Sequence, residues 1–148
     1  MASCDVRSVR VTTALLLAMA GCTSSDQTSR APAATNTTGC AWPASLDAVA
    51  AAPGNHRVLL ENDRVRVLEV IVNPGEREPV HAHCLPGVEY TMSGGKYRNY
   101  DSQGKVISEG QDPPGSFPTT SWSEPAPPFS YENLDTTPMR MLRIELKK

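Results

Sequence analysis

The sequence predicts an all-β domain, a small sandwich or barrel of short antiparallel strands entered through one short helix. Seven β-branched, aromatic or alternating runs of strand length follow one another over 57–61, 64–73, 88–93, 96–101, 105–108, 129–134 and 139–147. Turn signals part them: Asn62-Asp63, Pro74-Gly75, Pro86-Gly87, Gly94-Gly95, Ser102-Gln103-Gly104 and Leu134-Asp135-Thr136-Thr137. Thirteen prolines and ten glycines, with no helical period between the runs, exclude a helical bundle. There is no internal repeat.

The chain of 148 residues has room for one domain, and its first segment reads as an address. Arg7 and Arg10 precede the apolar stretch VTTALLLAMA at 11–20, which at about 1.5 Å per helical residue is too short for a hydrocarbon core of about 30 Å. Met19-Ala20-Gly21-Cys22 resembles the cleavage box of bacterial lipoproteins, with methionine where leucine is commoner. The resemblance implies a signal peptide over 1–21, acylation of Cys22, and a domain tethered to a membrane on the periplasmic or extracellular side of a bacterial envelope. Several acyl chains at about 0.8 kcal/mol per buried CH₂ hold a protein to a bilayer without a spanning helix. An ordinary secretory signal and an uncleaved apolar anchor are the alternatives. Residues 22–43 are mostly small and polar, and predict a tether that leaves 44–148 as the folded domain. Cys4 would leave with the signal and Cys22 would carry lipid. Cys40 and Cys84 then remain, either paired in an oxidising compartment or as two independent thiols.

Within the domain, Ser45 offers an N-cap, Asp47 an early acidic residue and Pro53-Gly54 a stop, so a helix is expected over 45–52. Two strand runs do not alternate cleanly. Apolar parity changes near Val67 and Leu68, and again between Met141 and Leu142, which predicts a bulge or burial on both faces there.

The stretch PGEREPVHAHCLPGVEYTMSGG, 74–95, carries two of the three histidines. His81 and His83 share one strand face, about 6.6 Å apart, and can aim two imidazoles at one point. Imidazole suits zinc, iron, copper, nickel and manganese, with further ligands drawn from neighbouring strands. Gly75 stands six residues before His81, and Gly94-Gly95 closes the next arm. That layout resembles the first motif of the cupins, small double-stranded β-helix (jelly-roll) barrels. The likeness extends over 56–148, through VLLENDRVRVLEVIVNPGE, GGKYRNYDSQGK and YENLDTTPMRMLRIELK. It implies a cupin barrel over 56–148, and a set of three histidines and a glutamate around a divalent transition metal.

The ligand set departs from that pattern. The family's glutamate falls at Gly87 or Val88, whereas the carboxylate present is Glu89, one step late and so on the opposite face of a regular strand. Val88, Tyr90 and Met92 are expected inward and Glu89, Thr91 and Ser93 outward, unless a bulge after Pro86-Gly87 returns Glu89. In the second motif Asn133 and Pro125-Ala126 fit, but the last ligand position falls on Phe129, which cannot coordinate. His56 is read as a surface residue at the barrel's entry. The expected metal set is therefore incomplete: His81, His83 and Glu89, with Val88 and Phe129 at lost positions and Glu78, Cys84 and Tyr131 as other nearby donors.

A net charge of −2 and pI near 5.9, without a basic cluster, exclude nucleic acid as a partner. G-x-S-x-G is absent, and Gly94-Gly95-Lys96 is a hairpin turn rather than a phosphate loop. Tyr90, Trp122, Phe129 and Tyr131 are candidates to line a pocket for a small molecule, or else belong to the core. Three functions follow. One is an envelope lipoprotein whose barrel binds a small ligand or serves as a rigid domain. Another is a metal-dependent enzyme of dioxygenase or isomerase type. The third is an interaction module using the proline-rich loops over 113–128. The cupin resemblance adds a homodimer as a candidate assembly.

Overall fold

The computed structural model describes residues 40–147. The expected signal peptide, Cys22 and the first part of the tether lie outside them. Among the described residues no helix is long and apolar enough to cross a membrane.

Eight strands form two sheets: β1 (His56–Glu61), β2 (Val65–Val72), β3 (Gly87–Ser93), β4 (Lys96–Asp101), β5 (Val106–Gln111), β6 (Thr119–Ser123), β7 (Phe129–Asn133) and β8 (Met139–Leu146). The larger sheet runs β1-β2-β8-β3-β6 and the smaller β5-β4-β7. The histidine stretch extends the smaller sheet along β7, through Glu78 N–H to Tyr131 O at 2.9 Å and reciprocal 2.9 Å bonds between His81 and Phe129. Its other side meets the N-terminal turns, where Ala48 N–H donates to Ala82 O at 3.1 Å and Ala82 N–H to Leu46 O at 2.6 Å.

The single helix expected over 45–52 is instead a 3-10 turn at Ala44–Leu46 followed by α1 (Ala48–Ala51). Asp47 is the cap rather than Ser45: its Oδ1 accepts from Val49 N–H at 3.1 Å. Strand β6 was not expected, because TTSWS has neither an apolar alternation nor a β-branched run longer than two residues. Cys40 and Cys84 are joined by a disulfide with Cα atoms 5.0 Å apart, so the N-terminal segment is bound directly beside His83.

The parity changes have a cause other than bulges. Strands β2 and β8 pair through eight residues without a slip, and the irregularities fall elsewhere, for instance in β1 between Val58 and Leu60. The inward row is regular in β2 as Arg66, Leu68, Val70 and Val72, and in β8 as Met139, Met141, Arg143 and Glu145. What changes along it is chemistry. Leu68, Val70, Val72 and Met139 form the apolar core, with Val49, Tyr131 and Met141 packed against it, while the row ends in buried charge.

The inward and outward rows of β3 are the reverse of those expected. Gly87 is buried opposite Glu145, and a Cβ there would stand 2.1 Å from Ile144 O, so only glycine fits. Two residues on, Glu89 faces inward with Thr91, through an unbroken register and without a bulge. Val88, Tyr90 and Met92 point outward. The expectation failed because it placed apolar residues inside, and this sheet is apolar on its outer face as well.

Candidate functional site

Three buried histidines converge inside the barrel: His56 at the start of β1, and His81 and His83 on the segment beside β7. One nitrogen of each lies within 4.8 Å of the others. His56, expected at the surface, is 3% exposed, its ring centroid 4.6 Å from that of His81 and 5.2 Å from that of His83. The Asn62-Asp63 hairpin alone would set His56 opposite Ile71, on the outward row; the irregularity between Val58 and Leu60 moves the pairing to Val70, on the inward row of β2, and nothing local in the sequence announces that shift.

Each ring is held by its Nδ1. His56 Nδ1 lies 3.3 Å from Ala52 O, His81 Nδ1 2.9 Å from Pro79 O, and His83 Nδ1 2.9 Å from Glu145 Oε1. Carbonyl and carboxylate oxygens only accept, so the three Nδ1 atoms carry hydrogen and the three Nε2 lone pairs are left free. Burial and the neighbouring histidines lower His56 to about 3 and, together with Arg143, His81 to about 4. Burial also lowers His83, against the opposing hydrogen bond to Glu145. All three are neutral near pH 7, the state that metal ligation requires.

Glu145 is fully buried and joins this cluster to the charged half of the sheet. It accepts from Arg66 Nε at 2.6 Å and Arg143 Nε at 3.4 Å, besides His83. Burial pushes its carboxyl up, but the hydrogen bonds from His83 and Arg66 outweigh that and hold it at about 2. Arg66 in turn grips Asp47 at 2.8 and 3.0 Å, tying the N-terminal turn to the same network.

Glu89 reaches the cavity but does not join the histidine group, because Arg143 Nη1 donates to its carboxylate and Ser121 Oγ lies 3.5 Å from it. Cys84, spent in the disulfide, cannot ligate. Phe129, at the expected lost position, packs 4.9 Å from the His81 ring. Glu78 is a second buried carboxyl beside the histidines: its Oε1 lies 3.7 Å from His56 Nδ1 and has no hydrogen-bond partner. Burial, and secondarily the Glu76 charge, push it up to about 8. Near pH 7 both groups are mainly neutral, so this contact is not an ion pair.

These groups open onto a cavity of about 410 Å³. Val70, Met139, Met141 and Phe117 supply apolar wall, and Thr91, Thr119 and Ser121 supply hydroxyls. Of the four aromatics expected to line a pocket, Phe129 and Tyr131 do so. Tyr90 and Trp122 do not: they lie on the outer face, 36% and 55% exposed.

No protein-family model matches the sequence, and no curated protein resembles it closely enough to count as a relative. Solved structures do resemble the fold. A cupin domain from Bordetella pertussis Tohama I is 22% identical with a TM-score of 0.52, over 63% of this chain and 92% of that one. A double-stranded β-helix protein from Klebsiella pneumoniae is 17% identical with a TM-score of 0.45, over 64% of this chain and 74% of that one. At 22% identity the likeness to the Bordetella domain concerns the fold: the chain folds as a cupin-type double-stranded β-helix barrel.

Proposed function

We propose that the domain binds one divalent transition-metal ion through His56, His81 and His83, and presents it to a small molecule in the adjoining cavity. The observation that carries this reading is the common arrangement of the three rings, each Nδ1 committed to a protein oxygen and each Nε2 free. In a tetrahedral site with metal–nitrogen bonds of about 2.0–2.1 Å, ligand nitrogens lie about 3.4 Å apart. One nitrogen of each ring already lies within 4.8 Å of the others, at most about 1.4 Å beyond that spacing. Three imidazoles leave at least one coordination position for a ligand. A bound ion supplies Lewis acidity to an oxygen atom placed there. The neutral Glu78 carboxyl, without a partner of its own, is available to donate or accept one hydrogen bond beside it.

This reading favours a working metal site over a purely rigid domain, because His56 supplies the third imidazole that the motif count lacked. The test is metal titration of the purified chain with cobalt(II), whose visible spectrum reports coordination directly. One ion per chain is expected, lost on His56→Ala as well as on His81→Ala. Undiminished binding by His56→Ala would restrict the site to the His81 and His83 pair and defeat the three-histidine reading.

The lipid tether at Cys22 is part of the same proposal, supported by the cleavage-box resemblance alone. Cys22→Ala is expected to release the protein from the membrane fraction, and an unaltered distribution would count against acylation.

A further inference from the structure

The segment 40–52 lies along the histidine stretch as a strap, on the side away from β7. Ala82, between His81 and His83, is bonded to it through both backbone groups, its N–H to Leu46 O at 2.6 Å and its carbonyl to Ala48 N–H at 3.1 Å. The far end of the strap holds the third ring, because Ala52 O is the acceptor for His56 Nδ1 at 3.3 Å. Its middle reaches His83 at one remove: Asp47 accepts from Arg66, Arg66 Nε donates to Glu145, and Glu145 accepts from His83 Nδ1. Its start is joined covalently to Cys84, the residue after His83. One short segment thus bears on two of the rings and on the backbone between the pair.

Apart from these polar contacts, little but the disulfide secures it. A four-residue helix such as α1 has no stability of its own, and the side chains that the strap buries fully are those of two alanines, Ala48 and Ala52. A segment with so little buried apolar area belongs to the part of a fold that opens first. We propose that the Cys40–Cys84 disulfide is a redox latch on the metal site: closed, it keeps the strap docked and the rings aligned, and opened by a dithiol reductant, it frees the strap and metal affinity falls. The inference rests on the three-histidine reading given above. Cys40 is the partly exposed partner and Cys84 the buried one, so the thiolate of the reductant attacks Cys40 Sγ. The S–S bond breaks, and its electron pair leaves on Cys84 Sγ, which takes up a proton. The reductant's second thiol then resolves the mixed disulfide and Cys40 leaves as a thiol. Two electrons and two protons have passed to the cysteine pair, and the reductant ends as a disulfide. Groups that orient metal-binding imidazoles change affinity by about tenfold to a hundredfold, and the strap supplies one of them directly, at Ala52.

The test compares the cobalt(II) affinity of two preparations of the full chain. One is reduced with dithiothreitol, alkylated with iodoacetamide and freed of reagents; the other is alkylated without reduction. Cys4 and Cys22 are then treated alike in both, and no released thiol remains to bind cobalt itself. About tenfold weaker binding is expected after reduction. In the metal-free chain, amide hydrogen exchange should quicken at Ala48, Ala52 and Ala82 while Leu68 and Val70 stay protected. The double variant Cys40→Ser, Cys84→Ser, which cannot close, should match the reduced form in both measurements. Equal cobalt affinity in the two preparations would overturn the inference. So would alkylation of Cys40 and Cys84 without reduction, or protection lost throughout β2 and β8, which would make the disulfide a support of the whole barrel. An unreduced chain that takes up no cobalt would instead defeat the three-histidine reading, and the latch with it.

Discussion

The inner face of the larger sheet is one lattice of strands with two chemistries. Towards one end, Leu68, Val70, Val72 and Met139 form an apolar core, of which Val70 and Met139 also wall the cavity. Towards the other, the same alternation presents Arg66, Arg143, Glu145 and Glu89, and Glu145 among them hydrogen-bonds to His83. Burying two arginines and a carboxylate is costly, and well-packed apolar residues would stabilise the fold as well or better. The charged half therefore marks where holding an imidazole in place counts for more than stability. Only there does a side chain of this sheet hydrogen-bond to a histidine of the cluster.

Removing the centre of the charged half should have the largest effect. Glu145→Leu leaves Arg66 and Arg143 buried with fewer partners and His83 Nδ1 without an acceptor. A loss of about 3–5 kcal/mol in denaturant unfolding is expected, together with weakened cobalt binding. A loss below about 1 kcal/mol would mean that the arginines find other partners and that no network exists. In the apolar half, Leu68→Ala should cost about 3 kcal/mol through cavity formation. Metal affinity should stay unchanged, since Leu68 does not line the cavity that the histidines open onto. If Leu68→Ala loosens the metal as much as Glu145→Leu does, the two halves are not separable.

The fold was legible because strand period and turn chemistry are local. Seven of the eight strands lie on runs that alternate or carry β-branched residues, and Gly75, with φ of +72°, is a turn glycine as Pro74-Gly75 predicts. Which face of each strand is inward is not local. Val88, Tyr90 and Met92 are apolar yet outward, whereas Arg143 and Glu145 are charged yet inward, so hydrophobicity pointed the wrong way at both. His81 and His83 were visible as a pair on one face. His56 was not, because its place depends on pairing with Val70 across a hairpin. Glu145 escaped for the same reason: it stands sixty-two residues from the ring it orients.

Acid should separate the two halves in a smaller but measurable way. In the metal-free chain, His56 and His81 are held at about 3 and about 4, against 6.5 in an open chain. Between those values the unfolded state binds more protons, so the histidines' contribution to stability is complete above pH 6.5 and falls as the pH drops below it. Glu145, at about 2 against 4.5, adds a further loss between those values. Glu78 has the opposite sign. Its carboxyl is raised from 4.5 to about 8, so the folded state binds the extra proton and stability declines as pH rises through that range. Melting temperatures with a chelator present should therefore fall on the acid side, and Glu78→Gln should flatten the alkaline decline while steepening the acid one, because between 4.5 and 6.5 the Glu78 slope opposes that of the histidines. An acid limb that also vanishes in Glu78→Gln would place the titration outside the histidines.

The finest test adds a ligand rather than removing one. Phe129 is half-buried, lines the cavity and packs 4.9 Å from His81, and its backbone is fixed by two hydrogen bonds to that residue. Phe129→His keeps the backbone in place and points an imidazole towards the cluster, at the cost of some apolar packing. About tenfold tighter zinc or nickel binding is expected, with the cobalt spectrum shifting as a fourth nitrogen enters. Unchanged affinity in a folded Phe129→His would show that this corner faces the three Nε2 atoms from too far away. The metal's open position would then lie towards Glu78, on the side of the cavity where His56, and not the strand carrying Phe129, completes the set.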